Sequence, residues 1–132
     1  MFNFSKKTVD AQTRVEPNEI VQLQLELAQY NQALSEIHET ANKVAKGDLT
    51  ARIVSWDVYG DLSPTMAAIN QAYDLTDAYI RESGACLQAA LNKEYHRVFL
   101  TQGILGDFGR GAEVINNSES ALQKMEETIK FD

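Results

Sequence analysis

Cysteine occurs once in this 132-residue chain, at Cys86, so no disulfide can form within it. A lone thiol is compatible with a reducing compartment, and the expected location is cytoplasmic. Proline occurs only as Pro17 and Pro64, and glycine seven times, so few residues interrupt helices. β-Branched runs are scarce, which disfavours a sheet. Basic charge is also short: 12 Lys and Arg against 19 Asp and Glu leave a net charge of −7. That balance argues against a nucleic-acid partner, because phosphate binding needs clustered cations. The only basic cluster, Lys6-Lys7, reads as part of a flexible lead-in over residues 1–16. No apolar run reaches the ~18–20 residues that span a bilayer, and "MFNFSKKTVD" has no signal-peptide core, so neither a membrane span nor export is expected.

What the chain does contain is periodic. Ile20, Leu23, Leu27, Tyr30, Leu34, Ile37, Ala41 and Val44 follow one another at alternating intervals of three and four. Such spacing is a heptad seam, and it predicts a coiled-coil helix that starts at Pro17-Asn18 and stops at Gly47-Asp48. At 1.5 Å per residue the seam runs roughly 40 Å, and so narrow an apolar stripe needs a partner. Ser63-Pro64 starts a second helix, a capping hydroxyl followed by proline at the first helical position. Met66, Ile69, Tyr73, Thr76, Ile80, Leu87 and Ala90 carry its seam towards Tyr95, with Ser83-Gly84 as the one expected bend. Asp107 caps a third helix with a seam of Gly111, Ile115, Ser118, Leu122, Met125 and Ile129, and that helix is expected to continue past residue 132.

Between the helices lie two connectors, "GDLTARIVSWDVYG" and "YHRVFLTQGILG", apolar but without sustained period, and both are expected to be extended. "GDLSPTMAAINQ" (60–71) and "GDFGRGAEVINN" (106–117) begin with Gly-Asp and an apolar residue, and both reach Ile-Asn at the same place. Their offset of 46 also lays Ala45 on Leu91, Leu49 on Tyr95 and Ile53 on Phe99. The chain is thus an internal repeat of helix, connector and helix, with the middle helix shared. Unit one covers residues 17–83 and unit two 61–132.

The segments "VAKGDLTARI", "DVYGDLSPTMAAIN" and "LGDFGRGAEVIN" resemble the HAMP signalling unit of bacterial receptors. Across roughly residues 35–125 the chain resembles the N-terminal region of soluble methyl-accepting chemotaxis proteins. The resemblance implies an all-α fold, an elongated helical bundle or coiled coil in a parallel homodimer, with a downstream signalling coil. Through that coil it implies the chemotaxis histidine kinase and coupling protein as indirect partners. Two departures stand out. Val58 and Ile104 occupy positions where the HAMP motif has an acidic residue, and Lys93-Glu94-Tyr95 replaces Gly47-Asp48-Leu49 in the second copy. The frame is therefore either a degenerate double HAMP unit relaying signals or one converted into a sensor.

No catalytic motif is present, neither a phosphate-binding GxxxxGK[ST] nor a GxSxG, and no enzymatic activity is expected. "GILGDFGRG" lacks the phosphate-loop lysine, and its glycines fit a helix start. The candidate cofactor or ligand residues are His38, His96, Tyr95, Trp56 and Cys86, with Met66 and Met125 as further soft ligands. A haem buried in a helical bundle takes such side chains, although a histidine beside a seam is more commonly a surface or interface residue. A CxxCH is absent, which excludes covalent attachment. If haem is the metal group, His38 or His96 is its ligand. Trp56, Tyr59 and Phe99 either line a pocket or peg the connectors to the core, the second being favoured. Asn70 and Asn116 are expected to hydrogen-bond near the connectors or to set register.

The sequence reading is therefore a sensory or relay domain of a chemoreceptor. Its signalling seam runs through Ile37, Val44, Ile69, Ile80, Leu87, Ile115 and Leu122. The alternatives are a haem-based gas or redox sensor on the same frame and a plain dimerisation module.

Overall fold

The structure is a computed structural model that describes residues 14–131. Most of the lead-in, including Lys6-Lys7, lies outside the described residues. Among the described residues the regular structure is entirely helical: α1 (Pro17–Ala45), α2 (Ser63–Leu91) and α3 (Gly106–Phe131), with two 3₁₀ turns, Trp56–Val58 and Gly60–Leu62. No described helix is long and apolar enough to cross a membrane. The chain divides into two compact units, Met1–Asn70 and Gln71–Asp132.

Helix α1 starts where the sequence predicts, with Pro17 in its first turn and no side-chain cap. Its end is a Schellman motif. The Gly47 amide donates to the Val44 carbonyl at 2.9 Å and the Asp48 amide to the Lys43 carbonyl at 3.0 Å, with Gly47 at φ 99°. Asp48 then holds the next turn by accepting from the Thr50 amide (3.1 Å) and hydroxyl (2.6 Å). Those two bonds pull its carboxyl below the ordinary aspartate value.

Helix α2 ends the same way 46 residues later: the Lys93 amide donates to Ala90 at 3.0 Å and the Glu94 amide to Ala89 at 2.8 Å. Here the left-handed position is filled by a lysine at φ 63°. A β-carbon in that region costs about 1–2 kcal/mol. The Lys93 ammonium reaches the Glu126 carboxylate at 3.3 Å, but it is largely exposed and returns little. Lys93→Gly is therefore expected to raise stability by about 0.5–1 kcal/mol after the greater chain entropy of glycine is subtracted. A chemical-denaturation midpoint reads this directly, and a lower midpoint would contradict the strain.

Four sequence expectations need correction, the first being that Ser63 lies inside α2 and its buried hydroxyl has no hydrogen-bond partner, so it is not a cap. The first connector is not extended throughout, because its second half winds into the two 3₁₀ turns. Helix α2 passes through Ser83-Gly84 without a break, and it ends at Leu91, short of Tyr95. Nothing crowds a β-carbon at Gly84, so this glycine weakens the helix without redirecting it.

The first unit is built on Ala33, Ile53, Tyr59 and Met66, with Ile37, Leu62 and Ile69 packed against them. The second is built on Cys86, Phe99 and Ala112, with Tyr79, Ile104 and Ile115. At the 46-residue offset Ile53 matches Phe99, Met66 matches Ala112 and Ala33 matches Tyr79. The repeat keeps its positions and changes its sizes. The outward-facing members of the seam, among them Leu23, Leu27, Leu34, Ile80, Leu87 and Leu122, remain exposed. Within a single chain, α1 buries the adjacent stripe through Ala33 and Thr40.

Candidate functional site

Each connector is fixed to the following helix by one asparagine. Asn70 accepts from the Ile53 amide at 2.8 Å and donates to the Ile53 carbonyl at 2.9 Å. Asn116 accepts from the Phe99 amide at 2.7 Å and donates to the Phe99 carbonyl at 2.9 Å. The sequence separation is 17 in both cases. A primary amide is suited to this task because it offers one acceptor and two donors, so it closes both backbone groups of one residue at once. Gly60 (φ 55°) and Gly106 (φ 59°) occupy matching left-handed positions where each connector turns towards its helix. The recurring Gly-Asp and Ile-Asn pairs thus mark the turn and the clamp of the same unit.

In the first unit the connector closes over the core. Tyr59, just before Gly60, is only 7% exposed and packs with Ala33 and Ile53. Burial raises its phenol above the ordinary tyrosine value, helped by a hydrogen bond to Glu36. The Gln29 amide donates to the Val58 carbonyl at 3.0 Å and ties the preceding turn to α1.

In the second unit the connector leaves a groove. A cavity of about 580 Å³ is walled by Tyr79, Phe99, Ile104 and Phe108, with Glu82 and Arg81 among its few charged neighbours. The Tyr79 ring lies 5.5 Å from Phe99 and 5.4 Å from Phe108, both tilted, and the three rings form one aromatic wall. Gly111 makes room for this. A β-carbon there would overlap the Tyr79 hydroxyl and come within 2.9 Å of its ζ carbon. Gly109 is required for a different reason, since a β-carbon would stand 2.6 Å from the Ile104 carbonyl oxygen.

A polar cluster lies beside that core. Arg97 Nη2 donates to both Glu82 oxygens at 3.2 and 3.1 Å, and the Cys86 thiol donates to Glu82 Oε1 at 3.6 Å. Burial pushes the Cys86 thiol up, and the carboxylates of Glu82 and Glu119 add to the shift. Glu119 is 2% exposed, and neither of its carboxylate oxygens has a hydrogen-bond partner. Burial raises its pKa above the ordinary glutamate value, while the Arg97 charge pulls it back. No sequence expectation singled out Glu119. The signal was present, because Phe108, Ala112, Ile115 and Glu119 share one helical stripe.

The sequence-nominated ligand residues do not gather into one site. His38 is exposed on α1, and His96 is exposed in the second connector. Trp56 is exposed in the first connector. Tyr95 is half-buried and hydrogen-bonds to Glu126, which raises its phenol. Cys86 is fully buried in the second core, and Met66 in the first. Of these residues none lines the 580 Å³ groove, whose walls include no histidine or sulfur. Among the described residues no group of three or more His, Cys, Asp or Glu side chains is placed to hold a metal.

Over 93 residues the chain is 34% identical to the methyl-accepting chemotaxis protein Amb0994 of Paramagnetospirillum magneticum. This is a chemotaxis-protein-like region. The match takes in 70% of this chain and 21% of the relative, so the chain spans about a fifth of that protein's length. No family model matches, and no solved structure gives a significant match.

Proposed function

We propose that the chain is a sensory and relay segment of a cytoplasmic chemoreceptor, built as two consecutive HAMP-like units over residues 17–83 and 61–132 with the middle helix in common. Its output is a change in helix rotation or packing passed to a downstream signalling coil, and through that coil to the chemotaxis histidine kinase and coupling protein. The observation that supports this reading most is the recurrence of helix end, connector turn and asparagine clamp at one offset, in a chain similar to a chemotaxis protein. A relay needs two packings that differ by a few kcal/mol, and side-chain clamps on otherwise irregular connectors hold a bundle without locking it.

The reading also requires a second copy. Each unit leaves heptad positions exposed, Leu27 and Leu34 in the first and Ile80, Leu87 and Leu122 in the second, and heptad spacing suits such a stripe to a parallel homodimer. Ile80→Lys and Leu122→Lys each place a charge on that stripe outside the single-chain cores. Sedimentation equilibrium should give twice the chain mass for the native sequence and the chain mass for either variant. A native chain of monomer mass, or variants of unchanged dimer mass, would count against the seam.

A further inference from the structure

The two units differ in how their connectors meet the core. Tyr59 and Leu105 are equivalent at the 46-residue offset, each one residue before the glycine that turns the connector. Tyr59 folds inward against Ala33. Leu105 is 82% exposed, and the space inside it is the groove of about 580 Å³. One unit is closed by its own phenol and the other is open.

We propose that the groove of the second unit binds a small, neutral aromatic molecule that carries a hydroxyl or N–H donor, of the phenol or indole class. Three observations specify that chemistry. The volume lies within the ~300–1,000 Å³ typical of small-molecule sites. Tyr79, Phe99 and Phe108 supply ring faces and edges, which select a flat apolar occupant. The Tyr79 hydroxyl lies against Gly111 of α3, so it is the ring of this residue that walls the groove.

Gln71, Arg81 and Glu82 are the charged or amide side chains that line the groove; Arg81 is paired with Asp77, and Glu82 is the equivalent of Glu36, which hydrogen-bonds to the Tyr59 phenol in the first unit. Glu82 lines the groove and is already paired with Arg97. It therefore offers an acceptor without calling for a cation, and a neutral donor is the better match. Binding would draw Leu105 and the second connector over the ligand, as Tyr59 closes the first unit. The binding proposal stands or falls independently of whether the helices relay a signal.

The probe is p-cresol, which is the tyrosine side chain as a free molecule, and the readout is amide and methyl chemical shift in the 132-residue chain. Saturable shifts are expected at Phe99, Ile104 and Leu105, with p-cresol binding about tenfold more tightly than toluene because of its bond to a charged acceptor. Leu105→Tyr should write the first unit's closure into the second. It should abolish the saturable shifts while keeping native helicity and a melting temperature no lower than that of the native sequence. Glu82→Leu should erase the preference for p-cresol over toluene. The proposal is overturned by the absence of saturable shifts, as when a second copy covers the groove. It is equally overturned by shifts that persist in a folded Leu105→Tyr chain, or by p-cresol and toluene binding alike to the native sequence.

Discussion

Replacing Asn116 with alanine lowers the stability of the folded chain by about 2 kcal/mol. Two hydrogen bonds are lost, each worth about 1 kcal/mol net, and the amide and carbonyl of Phe99 are left to find other partners. Phe99 is itself buried, so water reaches those groups poorly. The better helix propensity of alanine returns about 0.5 kcal/mol and no more. Asn116→Asp separates the two bonds, because a carboxylate accepts from the Phe99 amide but cannot donate to its carbonyl. Asn70→Ala should show a loss of similar size at Ile53, since the geometry there is the same within 0.1 Å. Urea denaturation of the three variants measures these losses. A shift below about 0.5 kcal/mol for Asn116→Ala would mean that the connector is held by packing alone.

The second large effect has the opposite sign. Glu119→Gln is expected to stabilise the chain at pH 7 to 8 by about 1–3 kcal/mol. The carboxylate is buried without a hydrogen-bond partner, and burial raises its pKa. The fold therefore favours the protonated form. Protonation contributes its stability below the unfolded value of about 4.3, and that contribution is lost as pH rises through the higher folded value. Glutamine holds the neutral form at every pH. The variant and native stabilities should thus converge near pH 4 and separate towards neutrality. Asp48 behaves in the reverse manner, because its lowered pKa makes its contribution present at neutral pH and lost in acid. The difference between the two chains cancels that background. Denaturation midpoints from pH 4 to 8 that ran parallel would remove Glu119 as the source.

The helix boundaries were largely legible in the residues. Pro17, Gly47 and Ser63-Pro64 each act through local backbone preferences that need no tertiary context, and the structure places helix ends at or beside them. Lys93 was not legible as a helix end, because nothing local favours a left-handed lysine and only its place in the repeat reveals it. The seam was legible as a period but not as a direction. A 3-4 spacing marks Leu34 and Ala41, yet the chain buries the neighbouring Ala33 and Thr40 and leaves Leu34 exposed. Periodicity alone does not tell a stripe packed within one chain from a stripe left for another. The repeated Gly-Asp and Ile-Asn pairs pointed to the connectors. The groove did not emerge from them, because it arises from the exchange of a small helix residue and a large connector residue for their reverse, Ala33 with Tyr59 against Tyr79 with Leu105.

The asparagine clamp grips main-chain atoms only. It is consequently indifferent to the side chain it anchors, which is isoleucine in one unit and phenylalanine in the other. A duplicated copy held in this way is free to drift in its interior while its architecture is inherited intact. Attachment and specificity are thereby assigned to different atoms, and a new binding preference can arise in one copy without the other being disturbed.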